Sequence, residues 1–596
     1  MKSKNIIDIP KITRTAIREI PKTWQSLSST YIRPTTNKEV FHLNTIAIGV
    51  GVFAGYAAIG FRYLIGFFQN TFLHHQMDWH LISPLDHVRG LWLLLILPMG
   101  LLVATLLTRF FAPEAKGHGV PEVIEAVMTR SGRMRGRIVA IKALASSITI
   151  ATGGSVGREG PIVQIGSAMG SAIGQFLKLD PKLLKTLVGC GAAGAVAATF
   201  NAPIAGVIFA IEIIVLELKT KSFVPLVISS VFATVVSRFH LGNEPAFFVP
   251  QYHLNGPNEL IFYLVLGVLA GIVGVVLIKA VYGFEDFFAG LKWPFWIKPL
   301  LGGIILAAVA LIFPQTLGVG YETVSSVLQQ ESTFPLMLGL VFLKIFATSL
   351  TLASGGSGGV FAPSLFVGAM LGGAFGYFVN SYFPGMTGGY GGYALVGMAA
   401  LFSATGRATF TAIVILFEMT LDYSIILPLM FVCVAADQVA WAISKDSIYS
   451  LKLKRKGIRF VNDISVNVMS ITLVRDIMTT ELHLAHESMT VLEASNKLIQ
   501  YGHSIYPVVN ADRQLLGVLT SETLQRLASK HPKQKVSEVM QSFRAVVRDD
   551  DTVLKAISKI EKTRDPRVLV VEPRTKKLIG IVSPIDFVRL SSAEAE

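Results

Sequence analysis

The chain has 596 residues, 52% of them hydrophobic and only 15% Asp, Glu, Lys or Arg, where a soluble globular chain carries about 25%. With a mean hydropathy of +0.56, it has too few charges to cover a water-soluble body of this size, which excludes a secreted enzyme, a fibrous protein and a single soluble domain. The net charge is +14, and its placement says more than its size.

Residues 1–40 form a basic segment with eight basic and three acidic groups, and no early apolar core of signal-peptide type. Residues 41–450 hold 22 basic and 19 acidic residues, a tenth of that stretch. A basic linker, 451–470, opens with LKLKRKGIRF, five basic residues and no acid in ten. Residues 461–596 hold 18 basic and 17 acidic residues, about a quarter. The middle region therefore reads as lipid-solvated and the tail as an ordinary soluble unit. Basic stretches flanking an apolar region place both termini in the cytoplasm by the positive-inside rule. They sit at membrane borders without a recognition module, so nucleic acid is not an expected partner. Cys190 and Cys433 both lie in apolar segments and offer neither a disulfide framework nor metal-ligand spacing.

In chain order, the apolar runs 43–68, 91–112, 259–283 and 297–313 are long enough to span a bilayer, which takes about 20 residues. The runs 140–152, 161–177, 186–199, 202–216, 337–353, 361–379 and 394–402 are shorter and broken by Gly or Pro. Broken backbone is tolerated at membrane depth only where protein or a water-filled cavity surrounds it, so these breaks point to a pathway.

An internal repeat supports that reading. Residues 141–176 match 343–378 at a constant offset without a gap: Lys142 with Lys344, Thr149 with Thr351, Gly153-Gly154-Ser155 with Gly355-Gly356-Ser357, and Pro161 with Pro363. Gly166, Gly170 and Gly174 match Gly368, Gly372 and Gly376. APIAGVIFAIE (202–212) matches ATFTAIVILFE (408–418), ending in Glu212 and Glu418. The membrane region is thus two homologous halves, about 90–240 and 297–443, an organisation that places a transporter's substrate site at the repeat interface. Residue patterns alone leave open whether the halves are inverted. The tail repeats too: Asp476-Ile-Met478 recurs as Glu538-Val-Met540, and GVLTSETL (517–524) as GIVSPIDF (580–587), giving two small α/β modules at about 471–530 and 535–590.

In each half a Gly-rich turn, GSVGREGP (154–161) or GSGGVFAP (356–363), leads into a helix with Pro in its first turn. Unpaired N–H groups and the positive end of the helix dipole favour an anion there. Two such ends facing one another make an anion site without a full positive charge. The spaced glycines downstream of the prolines suit close helix packing instead. Glu159 stands where the other half has Phe361. An ionisable residue in a membrane break is a functional candidate, and a carboxylate beside an anion site competes with the anion until protonated. A salt bridge to Arg158 is the bland alternative. Glu212 and Glu418 match each other and read as structural.

GREGP (157–161), GVFAP (359–363) and GHGVP (117–121) closely resemble, in order, the three signatures of the CLC family of chloride channels and chloride/proton exchangers. The resemblance runs from Asn44 to Leu453. It implies a CLC-type α-helical polytopic membrane fold with two inverted repeats, a homodimer with one anion pathway per subunit, and Glu159 as the gating glutamate. It also implies an anion site drawn from His118, Gly119, Gly157, Arg158, Gly160, the amides of Val360 and Phe361, and the hydroxyl of Tyr449. The tail resembles a pair of CBS modules, a small cytoplasmic α/β unit. Thr520, Ser583 and Asp586 fit the ribose-holding pattern of such modules, with Thr523 where the first copy should have Asp, so an adenine nucleotide is the one candidate cofactor.

Two positions depart from the family. His118 replaces the usual serine; an imidazole can also donate a hydrogen bond, or the neighbouring amide does the coordinating. Ile213 stands where exchangers carry a second glutamate on the proton route, and Glu217, a turn further on, is a speculative substitute. The missing internal glutamate favours a channel, so the expectation is passive or gated chloride conduction controlled by Glu159, with voltage or pH as the gating signal and the CBS pair as regulator, in a prokaryotic plasma membrane, with chloride and a proton as candidate cargo and lipid as surroundings. The alternative is a chloride/proton antiporter lacking the internal glutamate. A membrane enzyme with a CBS tail is a distant third: the one His-Glu pair, His486-Glu487, has Thr490 where a zinc motif needs His.

Overall fold

The computed structural model describes residues 37–80, 90–216, 220–243, 256–458 and 472–587, without 544, 564, 566 and 574. Most of the basic N-terminal segment, most of the linker and Glu217 lie outside the described residues.

The membrane region is all helical. Its first half holds α1 (Asn37–Gln69), α2 (Leu93–Phe111), α3 (Val120–Thr129), α4 (Arg137–Ala151), α5 (Glu159–Phe176), α6 (Pro181–Phe200), α7 (Pro203–Phe209) and α8 (Thr220–Leu241). The second holds α9 (Glu259–Gly290), α10 (Ile297–Ile312), α11 (Tyr321–Leu328), α12 (Phe334–Ser354), α13 (Phe361–Tyr382), α14 (Tyr390–Gly406), α15 (Thr409–Thr420) and α16 (Ile426–Ile443), followed by the short α17 (Ser450–Arg455). Among the described residues, eight helices are long and apolar enough to cross a membrane. Their outer faces carry large exposed apolar residues, including Phe53, Leu95, Val235, Ile261, Phe342 and Leu427, a surface suited to lipid and not to water.

Two length expectations change. The run at 297–313 forms a helix of 16 residues ending in a tight 3₁₀ turn, about 24 Å long at 1.5 Å per residue and so short of a ~30 Å hydrocarbon core. Conversely, the runs at 186–199, 337–353 and 361–379 belong to helices of 20, 21 and 22 residues. The glycines of α6 and α13 do not break those helices, because they pack, while Gly339 of α12 has open space beside it. A Cβ on Gly166 or Gly170 would strike the carbonyls of Gly191 or Leu187 on α6, and one on Gly368 or Gly372 those of Gly397 or Tyr393 on α14.

The two halves exchange contacts reciprocally. The Gly157 amide donates to the Gly359 carbonyl at 2.8 Å, and the Gly359 amide to the Gly157 carbonyl at 2.7 Å. The Ser155 amide donates to Thr351 Oγ1, and the Ser357 amide to Thr149 Oγ1, each at 3.2 Å. Glu212 accepts from the amides of Phe410 and Thr411, while Glu418 accepts from those of Ile204 and Ala205. Contacts in which i meets j′ and i′ meets j are the mark of a two-fold relation, here a pseudo-axis between the repeats. The two glutamates each cap the partner half's short helix, which is the structural role expected of them.

The tail contains two like-folded sheets. β1 (Ala485–His486) pairs parallel with β2 (Ile505–Val509), which pairs antiparallel with β3 (Leu515–Thr520). β4 (Val546–Arg548), β5 (Val568–Val571) and β6 (Leu578–Val582) repeat that order. Helices α18 (Val491–Leu498), α19 (Ser521–Lys530), α20 (Val536–Val539) and α21 (Val553–Thr563) pack on them. The module grouping differs from the sequence order. The 474–478 motif packs with Ala545, Val547 and Val570 of the second sheet, and Val536, Val539 and Met540 pack with Tyr506 and Leu519 of the first. Each motif therefore docks on the other module, and Val509, Val518, Leu569 and Leu578 close a shared apolar seam.

Candidate anion pathway and gate

The ion site is assembled where three non-helical breaks meet. Gly119 and Gly153 adopt φ of +92° and +103°, backbone that favours glycine. They turn the chain sharply into α3 and toward α5. The His118 carbonyl lies against Cα of Gly160, which also approaches Cα of Gly359. These contacts leave no space for side chains, so the two Gly-rich turns and the His118 loop converge on one point.

Buried lysines hold the loops. Lys142 Nζ donates to the carbonyls of Ala115 and Gly117 at 2.9 and 2.7 Å. Its repeat partner Lys344 does the same to Thr316 and Gly318 at 3.1 and 2.9 Å. Each ammonium answers the orphan carbonyls of an irregular loop that neither lipid nor a helix could satisfy. The loop before α3 is fixed further by Glu122, which accepts the Gly119 amide at 3.1 Å and pairs with Lys452 at 2.6 Å.

Glu159 is the first residue of α5 and is 2% exposed. Its carboxylate lies over Gly157 beside the backbone amide of Ala362, at the start of α13. Tyr321 donates its hydroxyl to Glu159 Oε1. Arg158 Nε stands 3.8 Å from the same oxygen, and its guanidinium lies over the Tyr321 ring at 5.4 Å. The carboxylate thus lies between the starts of α5 and α13. The Arg158 ion pair, offered above as the bland alternative, is present together with that placement.

The other expected residues gather around it. Val360 and Phe361 are the N-cap and first residue of α13 and are buried. The Phe361 ring packs on Phe402 at 4.2 Å, and Phe402 and the Tyr449 ring both border Gly406. Tyr449 is the N-cap of α17 and lies within electrostatic reach of Glu159. His118 is 1% exposed, edge-on to Tyr282 at 6.0 Å. Arg158 engages Glu159 and Tyr321.

Tyr321 and Ala362 were missed by sequence reasoning. Tyr321 was findable: GVGYETV (318–324) is the repeat partner of GHGVPEV (117–123), so the tyrosine holds the position of Val120 in the other half. Ala362 carries no side-chain signal, since only its amide acts. In the tail, Thr520 Oγ1 accepts the Thr523 amide at 3.2 Å and caps α19. Asp586 accepts from the Ser583 amide and hydroxyl, each at 2.7 Å, and from Thr479 Oγ1 at 3.3 Å.

Comparison with known proteins agrees with this geometry. The "Voltage gated chloride channel" family model matches residues 99–440, and the CBS domain model matches 474–530 and 536–593. The chain is 33% identical over 369 residues to a ClcB-like chloride channel protein of Ralstonia nicotianae, covering 61% of this chain and 86% of that one. It is 32% identical over 455 residues to the H(+)/Cl(-) exchange transporter ClcA of Vibrio parahaemolyticus, covering 75% and 95%. Among solved structures, a slow cyanobacterial Cl−/H+ antiporter superposes with a TM-score of 0.62 at 26% identity, covering 70% of this chain and 97% of that one. A chain with these repeats, this buried carboxylate at a helix start and these relatives belongs to the CLC family of anion transporters and carries a CBS pair at its C-terminal end.

Proposed function

We propose that this chain exchanges chloride for protons, with Glu159 as the gate used by both ions. The observation that carries the reading is the Glu159 carboxylate lying at the helix starts beside the Ala362 amide. Ionised, it mimics the anion and blocks the path. Protonated, it loses its attraction for the helix dipoles and amides, swings out, and admits chloride to the amides of Val360 and Phe361 and the Tyr449 hydroxyl. His118, Gly119, Gly157 and Gly160 shape the backbone walls of that path. Return of the carboxylate delivers its proton to the opposite side. The names of the Vibrio relative and the cyanobacterial neighbour support this reading.

One observation favours an uncoupled channel instead: Ile213 is buried and apolar and cannot pass a proton. The two readings separate by reversal potential in proteoliposomes at a fixed chloride gradient. Exchange predicts a clear shift when a pH gradient is added; a channel predicts none.

The chain is proposed to act as a homodimer in a prokaryotic plasma membrane with both termini cytoplasmic, and to catalyse no covalent chemistry. An adenine nucleotide at the CBS pair is the proposal for the tail, with Thr520, Ser583 and Asp586 as the residues that would hold it. Asp586 already accepts three hydrogen bonds, two from Ser583 and one from Thr479, so binding would require it to share them. A melting shift of the full-length protein on adding ATP tests this directly.

A further inference from the structure

An exchanger needs a proton entry on the side opposite its gate, and Ile213 does not provide one. The chain offers another pair. Both ring nitrogens of His118 are buried and lack a hydrogen-bond partner among the described residues. A neutral imidazole always carries one N–H, and leaving it unpaired costs about 1–3 kcal/mol unless a mobile species completes it. Nε2 stands 3.8 Å from Oε1 of Glu285, whose side chain is 28% exposed. Glu285 sits near the end of α9 among Lys116, Lys452 and Arg455, the end from which α17 leads to the tail. The ring is held edge-on by Tyr282, whose hydroxyl donates to the Ile448 carbonyl at 2.5 Å, next to Tyr449. On its other side the His118 backbone abuts Gly160, the neighbour of Glu159.

We propose that Glu285 and His118 form the internal leg of the proton route, replacing the glutamate that Ile213 displaces; this rests on the exchange reading above. Glu285, protonated from solvent, rotates across the 3.8 Å gap and gives its proton to Nε2. The ring then releases its Nδ1 proton toward Glu159, and Glu285 remains as a carboxylate to be reloaded. The ring returns to its first tautomer before the next transfer. The surrounding charges make this step depend on the anion. Burial of the ring, then Lys452 and Lys142, oppose a positive charge on it, against the negative charges of Glu122, which Lys452 already neutralises, and of Glu285 once it has given up its proton. Chloride bound beside the ring adds to that negative charge, so the proton is taken up more readily when the anion site is filled. Coupling follows from electrostatics, without a dedicated inner glutamate.

The test uses full-length protein in chloride-loaded liposomes, with chloride efflux and proton uptake recorded in the same vesicles. For Glu285→Gln and for His118→Ser, the ratio of chloride to protons should rise at least tenfold over wild type. Glu285→Asp should return it to within about threefold, which a merely structural role for Glu285 does not predict. Chloride efflux by Glu285→Gln, and a wild-type melting temperature in detergent for His118→Ser, show that the variants are folded. Wild-type coupling with an unchanged ratio in both Glu285→Gln and His118→Ser overturns the proposal while leaving exchange intact. A wild-type protein that moves no protons overturns the exchange reading, and this one with it.

Discussion

Glu159 is held by three different groups: a tyrosine hydroxyl, an arginine and a helix-start amide. Each favours the ionised, inward position, so each contributes to keeping the path shut. A hydrogen bond to a charged group contributes roughly 1.5–3 kcal/mol. Removing one with Tyr321→Phe should therefore raise chloride flux at neutral pH by about tenfold, measured as efflux from liposomes; unchanged flux would remove Tyr321 from the gate. Glu159→Ala should abolish the pH dependence of chloride flux altogether, because no titrating carboxylate then competes with the anion. A pH profile identical to wild type would count against the gate assignment.

Helix ends and helix faces divide the work at the level of elements. Short helices α7 and α15 begin with amides that lack a partner within their own helix, and each is capped by a glutamate from the opposite half. Glu212→Ala strips three hydrogen bonds from the start of α15 and should destabilise the protein by about 2 kcal/mol, seen as a lower melting temperature in detergent. The packing faces are equally constrained. Gly372 lies against the Tyr393 carbonyl with no space for a Cβ, so Gly372→Leu should cost at least 1–3 kcal/mol through overpacking and lower the yield of folded protein. A melting temperature equal to wild type would show that α13 and α14 can separate without loss. These elements were legible in the sequence because the repeat carries their Gly, Pro, Lys and Glu in register. The full length of α6, α12 and α13 was not, since a glycine that packs and a glycine that breaks a helix look alike until the facing backbone is seen. Helix α8 escaped because Pro225 and flanking charges disguise an otherwise apolar run.

For the whole molecule, the scarcity of charge noted at the outset has a physical reason. Two halves related by a pseudo-two-fold axis present helix starts and amides, neutral groups, to an anion that must also leave. The charges that remain are committed: Lys142 and Lys344 to loop carbonyls, Glu212 and Glu418 to helix caps. Symmetry is broken at the proposed gate, where Glu159 in one half stands at the position that Phe361 takes in the other, and the sequence comparison of the repeats already exposed that difference. What it could not expose is convergence across the chain. Tyr321 reaches Glu159 over 162 residues, and His118 meets Glu285 over a longer separation, and neither pairing leaves a local pattern. The swapped docking of the tail motifs was hidden for the same reason. Uphill proton movement is the most direct consequence of the proposed exchange. Liposomes bearing the purified protein and an outward chloride gradient should take up protons against a pH gradient, and Glu159→Gln should abolish that uptake; dissipation of the chloride gradient without proton movement in the wild type, or equal uptake in the variant, would contradict it.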